Sequence, residues 1–218
     1  LNINSNISEN SPYGSFGDYS RLNPYWNPYD ANGNVVKILE SITNFGVGGT
    51  TNIANPLYNA NIGTVNNSKY TGINNNTFLE WRLDGGFRIT GKLGINKQND
   101  EGNVFLPADH TAFSNITDYN SEAYATRGSY DRSNSSFFNY DASLVGDYSK
   151  TFGKNLIFAT LGVSAAEQQS KSTAISVIGF PNNRLDEIFY GNAYQNGSRP
   201  RGQNNISRRF SSFANFNY

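Results

Sequence analysis

The chain contains no cysteine, which excludes disulfide staples, thiolate metal sites and cysteine nucleophiles. Methionine is absent too. A chain that opens at Leu1 without any methionine is expected to be cut from something longer. Histidine occurs once, at His110, so any Ser-His-Asp constellation would rest on Asp109-His110, and no nucleophile with oriented partners is identifiable from spacing. Charge is scarce at 16%, and Lys+Arg and Asp+Glu are both 17, so the balance points to neither nucleic acid nor an acidic surface. No apolar run approaches the roughly 18 residues that a spanning helix needs, and there is no N-terminal signal pattern.

What is present is Asn, Ser, Gly and Tyr in abundance, a mixture that suits hydrated loops and barrel strands. The 218 residues suffice for one large β domain or two small ones. The most informative stretch runs from Thr77 to Lys97, a hairpin turned at Asp84-Gly85-Gly86. On its first arm Thr77, Leu79, Trp81 and Leu83 face one way, and Asn76, Phe78, Glu80 and Arg82 the other. On its second arm Phe87, Ile89, Leu93 and Ile95 alternate with Arg88, Thr90, Lys92 and Asn96. Leu83 opposite Phe87 puts Trp81 against Ile89 and Thr77 against Leu93, keeping the apolar faces together. Arg82 then opposes Arg88, with Glu80 diagonally in reach of Arg88. A soluble sandwich rarely gathers Glu80, Arg82, Arg88 and Lys92 on one wall of long strands. A membrane β-barrel does so routinely, with lipid outside and a wet lumen inside.

Residues 1–8 alternate like a strand end, through Leu1, Ile3 and Ile7. From Asn10 to about Asn67 a long loop is expected, holding a small hairpin turned at Asn32-Gly33 between Tyr29 and Val35-Val36. The arms around Asp84 are expected to reach back to Tyr70 and on to Asn99, followed by a polar loop over 100–134. Phe138, Tyr140, Ala142, Leu144, Gly146 and Tyr148 then alternate with Asn139, Asp141, Ser143 and Asp147. After the turn Thr151-Phe-Gly-Lys154, Ile157, Ala159, Leu161, Val163 and Ala165 form the returning strand. Pairing Lys150 with Asn155 places Tyr148 opposite Ile157 and Leu144 opposite Leu161. A third long loop is expected over 179–206, and a last strand over Arg208–Tyr218.

Short turns thus alternate with long loops, the asymmetry of outer-membrane barrels, with short periplasmic turns and long extracellular loops. Trp81, Phe87, Tyr148 and Phe152 lie beside the short turns, where a periplasmic aromatic girdle would sit. The expected fold is all-β: antiparallel strands forming part of a large transmembrane β-barrel, with residues 1–218 as one partial segment. Glu80, Arg82, Arg88, Lys92, Asp141 and Asp147 are expected to face the lumen. Leu79, Trp81, Ile89, Leu93, Leu144 and Leu161 are expected to face lipid. The alternative is a soluble or surface β-sandwich that binds carbohydrate, in which the same aromatics pack a core.

Several segments carry a resemblance, in order along the chain: Ser11-Pro-Tyr-Gly-Ser-Phe-Gly-Asp-Tyr19, Arg21-Leu-Asn-Pro-Tyr-Trp-Asn-Pro-Tyr-Asp30 and Asn55-Pro-Leu-Tyr58. Leu79-Glu-Trp81, Phe105-Leu-Pro-Ala-Asp-His-Thr111, Arg127-Gly-Ser-Tyr130, Thr151-Phe-Gly-Lys154 and Gly179-Phe-Pro-Asn182 follow. Together they resemble the SusC/RagA family of TonB-linked outer-membrane transporters from Bacteroidetes. The resemblance implies a piece of a large plugged barrel that imports glycans or peptides across the bacterial outer membrane. It also implies a SusD-like surface lipoprotein as lid, and TonB–ExbB–ExbD as the energy source. The chain departs from that pattern in showing no plug domain, no TonB box, no carboxypeptidase-like extension and no closing strand.

No catalytic, cofactor or metal pattern emerges. Asp84-Gly85-Gly86 and Asp30-Ala-Asn-Gly33 lack the alternating acids and terminal Glu of a calcium loop and read as turns. Asn6, Asn66, Asn75 and Asn115 match the glycosylation pattern as an Asn-rich composition would by itself. Arg21, Tyr25, Trp26, Tyr29 and Asp30 fall close enough to stack on a sugar ring and bond its hydroxyls; the alternative is a packed turn. Asp109, Arg127, Arg184 and Asp186 lie in the other long loops, either rimming a binding cavity or lid contact, or simply solvated.

Overall fold

A computed structural model describes residues 1–11, 16–43, 46 and 49–218; the middle of the Ser11–Tyr19 motif lies outside the described residues. The strands are β1 (Asn2–Glu9), β2 (Ile38–Thr43), β3 (Thr50–Ala54), β4 (Val65–Leu83), β5 (Phe87–Leu106), β6 (Ser129–Phe152), β7 (Asn155–Ile178), β8 (Ala193–Tyr194) and β9 (Arg201–Asn217). One antiparallel sheet runs β1-β4-β5-β6-β7, with β8 and β9 pairing different stretches of β7, and β2 and β3 form a separate ribbon. The chain is therefore all-β, and β4, β5, β6, β7 and β9 of its large sheet run 17 to 24 residues each.

The turns fix the registers. Asp84-Gly85-Gly86 joins β4 to β5 with φ of 87° and 93° at the two glycines, a region that residues with a Cβ avoid. Leu83 opposes Phe87, Trp81 opposes Ile89 and Thr77 opposes Leu93, as the alternation requires. The β6–β7 hairpin corrects the expected pairing. Phe152 pairs with Asn155, so only Gly153 and Lys154 turn, with Gly153 at φ 63° as the first central residue. Leu144 consequently opposes Val163, and Tyr148 opposes Ala159. The slip is two residues, so no side chain changes face.

Strands also run further than the alternation suggested. β4 and β5 extend to Val65 and Leu106, β6 begins at Ser129 and β9 at Arg201. The long loops contract to 10–64, 107–128 and 179–200. The added stretches, such as Asn66-Asn-Ser68 and Ser133-Asn-Ser-Ser136, carry polar residues on both faces. They show no apolar period, and ladder pairing to their neighbours holds them extended.

The buried core is small and sits at the long-loop end. Phe105, Tyr130 and Val177, on adjacent strands, pack with Phe180 of the third loop and with Ile188. The Phe105 ring lies 5.1 Å from Phe180 and 6.0 Å from Tyr130. Gly128, at φ 81°, is where the second loop re-enters the sheet; a Cβ there would lie 2.9 Å from that of Phe180. The small hairpin in the first loop forms as expected, with Tyr29 bridging Val35 and Gly33 at φ 83°.

Candidate functional site

Registers and side-chain alternation sort the large sheet into two faces. One carries Leu79, Trp81, Ile89, Leu93, Leu144 and Leu161, joined by Ile73, Phe87, Ile95, Phe138, Tyr140, Tyr148, Val163, Phe210 and Phe216. Nothing within the described residues covers it: Leu79 is 71% exposed, Leu161 64% and Trp81 62%. Ile89 is half-buried among its neighbours. Phe87 and Tyr148 meet at 4.6 Å beside the short turns, with Trp81 and Phe152 on the same face.

This apolar face is a band of bounded height. Moving away from the short turns, the band's last apolar residue is Ile7 on β1, Ile73 on β4, Ile95 on β5, Phe138 on β6, Ala165 on β7 and Ile206 on β9. Projected through the registers, these fall level with β5 residues 101, 97, 95, 97, 93 and 97. The edge thus stays within eight residues of strand on all six of these strands. The band spans Ile73–Leu83 on β4 and Phe87–Ile95 on β5. Such lengths match the roughly 9–11 residues of a tilted spanning strand.

The opposite face is polar and laced with ion pairs. Arg88 reaches across to Asp147, donating to Oδ2 from Nη2 at 2.8 Å and Nε at 3.1 Å, while Thr160 donates to Oδ1 at 2.9 Å. The expected diagonal from Glu80 to Arg88 gives way to this bond, because Asp147 lies directly opposite Arg88. Glu80 instead accepts from Arg82, two residues on along its own strand, which draws Arg82 off the opposed Arg88. Asp141 stands 4.0 Å from Arg209. Lys92, on the same face, has no ion pair among the described residues. All six residues expected on the charged wall share this face.

The long loops interlock into a platform. Asn55, almost fully buried, donates to the carbonyls of Pro28 and Val36 and caps the helix Pro56–Ala60 by accepting from Leu57 N–H. Asn59 and Thr111 exchange bonds of 2.7 and 3.0 Å between first and second loops. Asp109 and Asn183 do the same between second and third, at 3.1 and 2.9 Å. Burial and then the Lys37 ammonium push His110 down to about 4, and its Nδ1 accepts from Ala112 N–H. His110 is thus a structural cap within its loop.

The candidate loop residues separate. Asp30 is consumed by its turn, accepting from Asn32 and Asn34 N–H at 2.8 Å, which holds its carboxyl below the usual range. Asp109 sits 3.8 Å from Arg127, whose guanidinium stacks 3.6 Å over Tyr124. Arg21 lines a cavity of about 470 Å³ with Asp18, Asn59 and His110. Tyr25 is 92% exposed, Tyr29 is exposed and Trp26 half-buried. Arg184 and Asp186 lie on the exposed third loop, where Asn182 caps the turn. No bond joins Arg21, Tyr25 or Trp26 to Arg184 or Asp186 among the described residues. Sequence reading missed Asn55 as a loop anchor and Phe105, Tyr130 and Phe180 as a cluster, although all four lie in the family-like motifs. Among the described residues no group of three or more His, Asp or Glu is placed to hold a metal.

No family model matches the chain, and no curated protein matches it. Solved structures do match. The RagAB peptide transporter aligns over 89% of this chain and 20% of its own, at 18% identity and TM-score 0.59. The RagAB peptide importer in the open-open state aligns over 99% and 24%, at 17% identity and TM-score 0.59. Its closed-closed state aligns over 89% and 20%, at 18% identity and TM-score 0.55. The chain spans about a fifth to a quarter of those chains, and the likeness is one of fold.

Proposed function

We propose that this chain is a sector of the barrel wall of a TonB-dependent, SusC-like transporter in the bacterial outer membrane. One observation carries the reading. A single antiparallel sheet exposes an apolar band of spanning height on one face and a charged wall on the other. The fold likeness to a peptide transporter, and the family-like motifs, support it.

In this reading Leu79, Trp81, Ile89, Leu93, Leu144 and Leu161 face lipid. Glu80, Arg82, Arg88, Lys92, Asp141 and Asp147 face the lumen, where paired charges keep the wall wet without offering a strong trap to passing cargo. The long loops lie on the extracellular side. Arg21, Tyr25, Trp26, Tyr29, Arg184 and Asp186 are their cargo- or lid-contacting residues, while Asp30, Asp109 and Arg127 hold loop shape. The cargo is a glycan or peptide, a SusD-like lipoprotein forms the lid, and TonB–ExbB–ExbD acts through a plug. The wall performs no catalysis. A carbohydrate-binding sandwich needs a second sheet over the apolar face, and among the described residues the only other sheet is the two-stranded β2–β3 ribbon.

The test is genetic and biochemical. Removing the full-length protein from its host should abolish uptake of one class of oligomeric nutrient, and the tagged protein should co-purify with a surface lipoprotein. Unchanged uptake of both glycans and peptides, with no lipoprotein partner, would contradict the proposal.

A further inference from the structure

We propose that the sheet carries a binding site for the phosphorylated headgroup of a membrane amphiphile, on its outer face where the apolar band ends. The inference rests on the membrane reading above. Just beyond the band lies a groove of about 440 Å³ flanked by Lys69 and Lys171. Its floor is Asn99, Asn134 and Ser136, short amide and hydroxyl groups suited to phosphate or sugar oxygens. Asn99 pairs with Ser136, and Ser136 with Lys171, so these side chains form one cross-strand row. Lys97 stands one row nearer the band, directly between Ile73 and Phe138.

Three exposed ammonium groups on strands β4, β5 and β7 therefore surround one polar floor. Lys97 and Lys171 are separated at the backbone by on the order of 12 Å, a gap that two lysine side chains close onto a single headgroup. The groove's one outward carboxylate, Glu101, is taken by Arg132 at 2.8 Å. Asp100, the groove's other acid, points to the opposite face, where Gln98 and Ser135 donate to it. The neighbouring Glu167 is paired with Arg208 at 2.8 Å. The patch is left with uncompensated positive charge.

Its position selects the ligand. Directly beneath it, Ile73, Ile95 and Phe138 offer apolar surface, and the row just above it carries Asn67, Asn103 and Arg132. An amphiphile with an anionic head satisfies both halves at once. A soluble anion satisfies only the upper one.

The full-length protein, purified in detergent micelles, is offered a diacyl phosphatidic acid or, at the same mole fraction, a neutral glucosyl lipid with the same chains. Co-purifying lipid is counted by mass spectrometry. Phosphatidic acid should be retained in preference. Lys69→Gln, Lys97→Gln and Lys171→Gln should each lower its retention by roughly five-fold. Lys→Arg at the same positions should keep it, and Lys92→Gln on the opposite face should leave it unchanged. If the triple Gln variant retains phosphatidic acid like the parent while both lipids bind, the headgroup site is wrong and the membrane reading stands. If the parent retains neither lipid, or both alike, the headgroup site is wrong; a parent that stays soluble and monomeric without detergent overturns the membrane reading as well.

Discussion

The two ends of this sheet solve the burial problem in opposite ways. At the long-loop end Phe105 is fully buried, and it packs with Tyr130, Val177 and Phe180 into a core that the chain supplies for itself. Toward the short turns, Leu79, Trp81, Leu144 and Leu161 are more than half exposed on one continuous face. The first end is satisfied in water. The second is satisfied only by something apolar outside the chain, since an uncovered face of this size is an aggregation hazard. Within one strand, β5, the change occurs between Ile95 and Lys97. A boundary that abrupt reads as the edge of a solvent.

Substitutions at the two ends should therefore respond to different surroundings. The largest effect is expected at the self-made core. Phe105→Ala should cost about 3–5 kcal/mol there and open the 107–128 loop to limited proteolysis, whether lipid is present or not. Leu144→Arg, near the middle of the band, should cost about 2–4 kcal/mol in a bilayer. That cost should appear as a loss of folded, heat-modifiable protein after reconstitution. An equal penalty in detergent-free buffer would break the distinction between the two ends.

A smaller, pH-dependent effect is expected at His110. Its folded value, about 4, lies below the unfolded value of 6.5, so between those limits the unfolded loop binds more protons. Loop stability should be complete above pH 6.5 and decline as pH falls toward 4, because protonation removes Nδ1 as the acceptor for Ala112 N–H. The change should be about 1 kcal/mol, since His110 is partly exposed. Following proteolysis of the 107–128 loop against pH checks it, and His110→Gln should flatten the slope.

The two ends also differed in how far the residues alone revealed them. The band was legible because an apolar face backed by a polar one imposes a period of two. The residues assigned to each wall share one face of the sheet, from Leu79 on the apolar side to Asp147 on the polar side. Register was less legible: the β6–β7 pairing was set by where Gly153 could take a positive φ, which alternation does not encode. The outer halves of the strands were missed because Asp100–Asn103 and Ser133–Ser136 carry polar residues on both faces and show no period. Motifs read as family-like at Phe105, Arg127-Gly128 and Gly179-Phe180 proved to be one contact: Phe180 N–H donates to the Arg127 carbonyl at 2.9 Å, beside the Phe105 ring. Segments 50 residues apart were recognisable individually, but nothing in their spacing announced that they touch. Asp30 illustrates the converse, a candidate ligand whose oxygens were already spent on its own turn.

The chain holds two tryptophans, one at each end of this comparison: Trp26 in the first loop and Trp81 in the band. The most direct test of the account uses them. The full-length protein is reconstituted into vesicles whose acyl chains carry bromine, with Trp26→Phe and Trp81→Phe variants separating the signals from these two positions. The account predicts that the Trp81 signal is strongly quenched and the Trp26 signal is not. An unquenched Trp81 would contradict it, because the apolar face would then be covered by protein and the wall would not be a membrane wall.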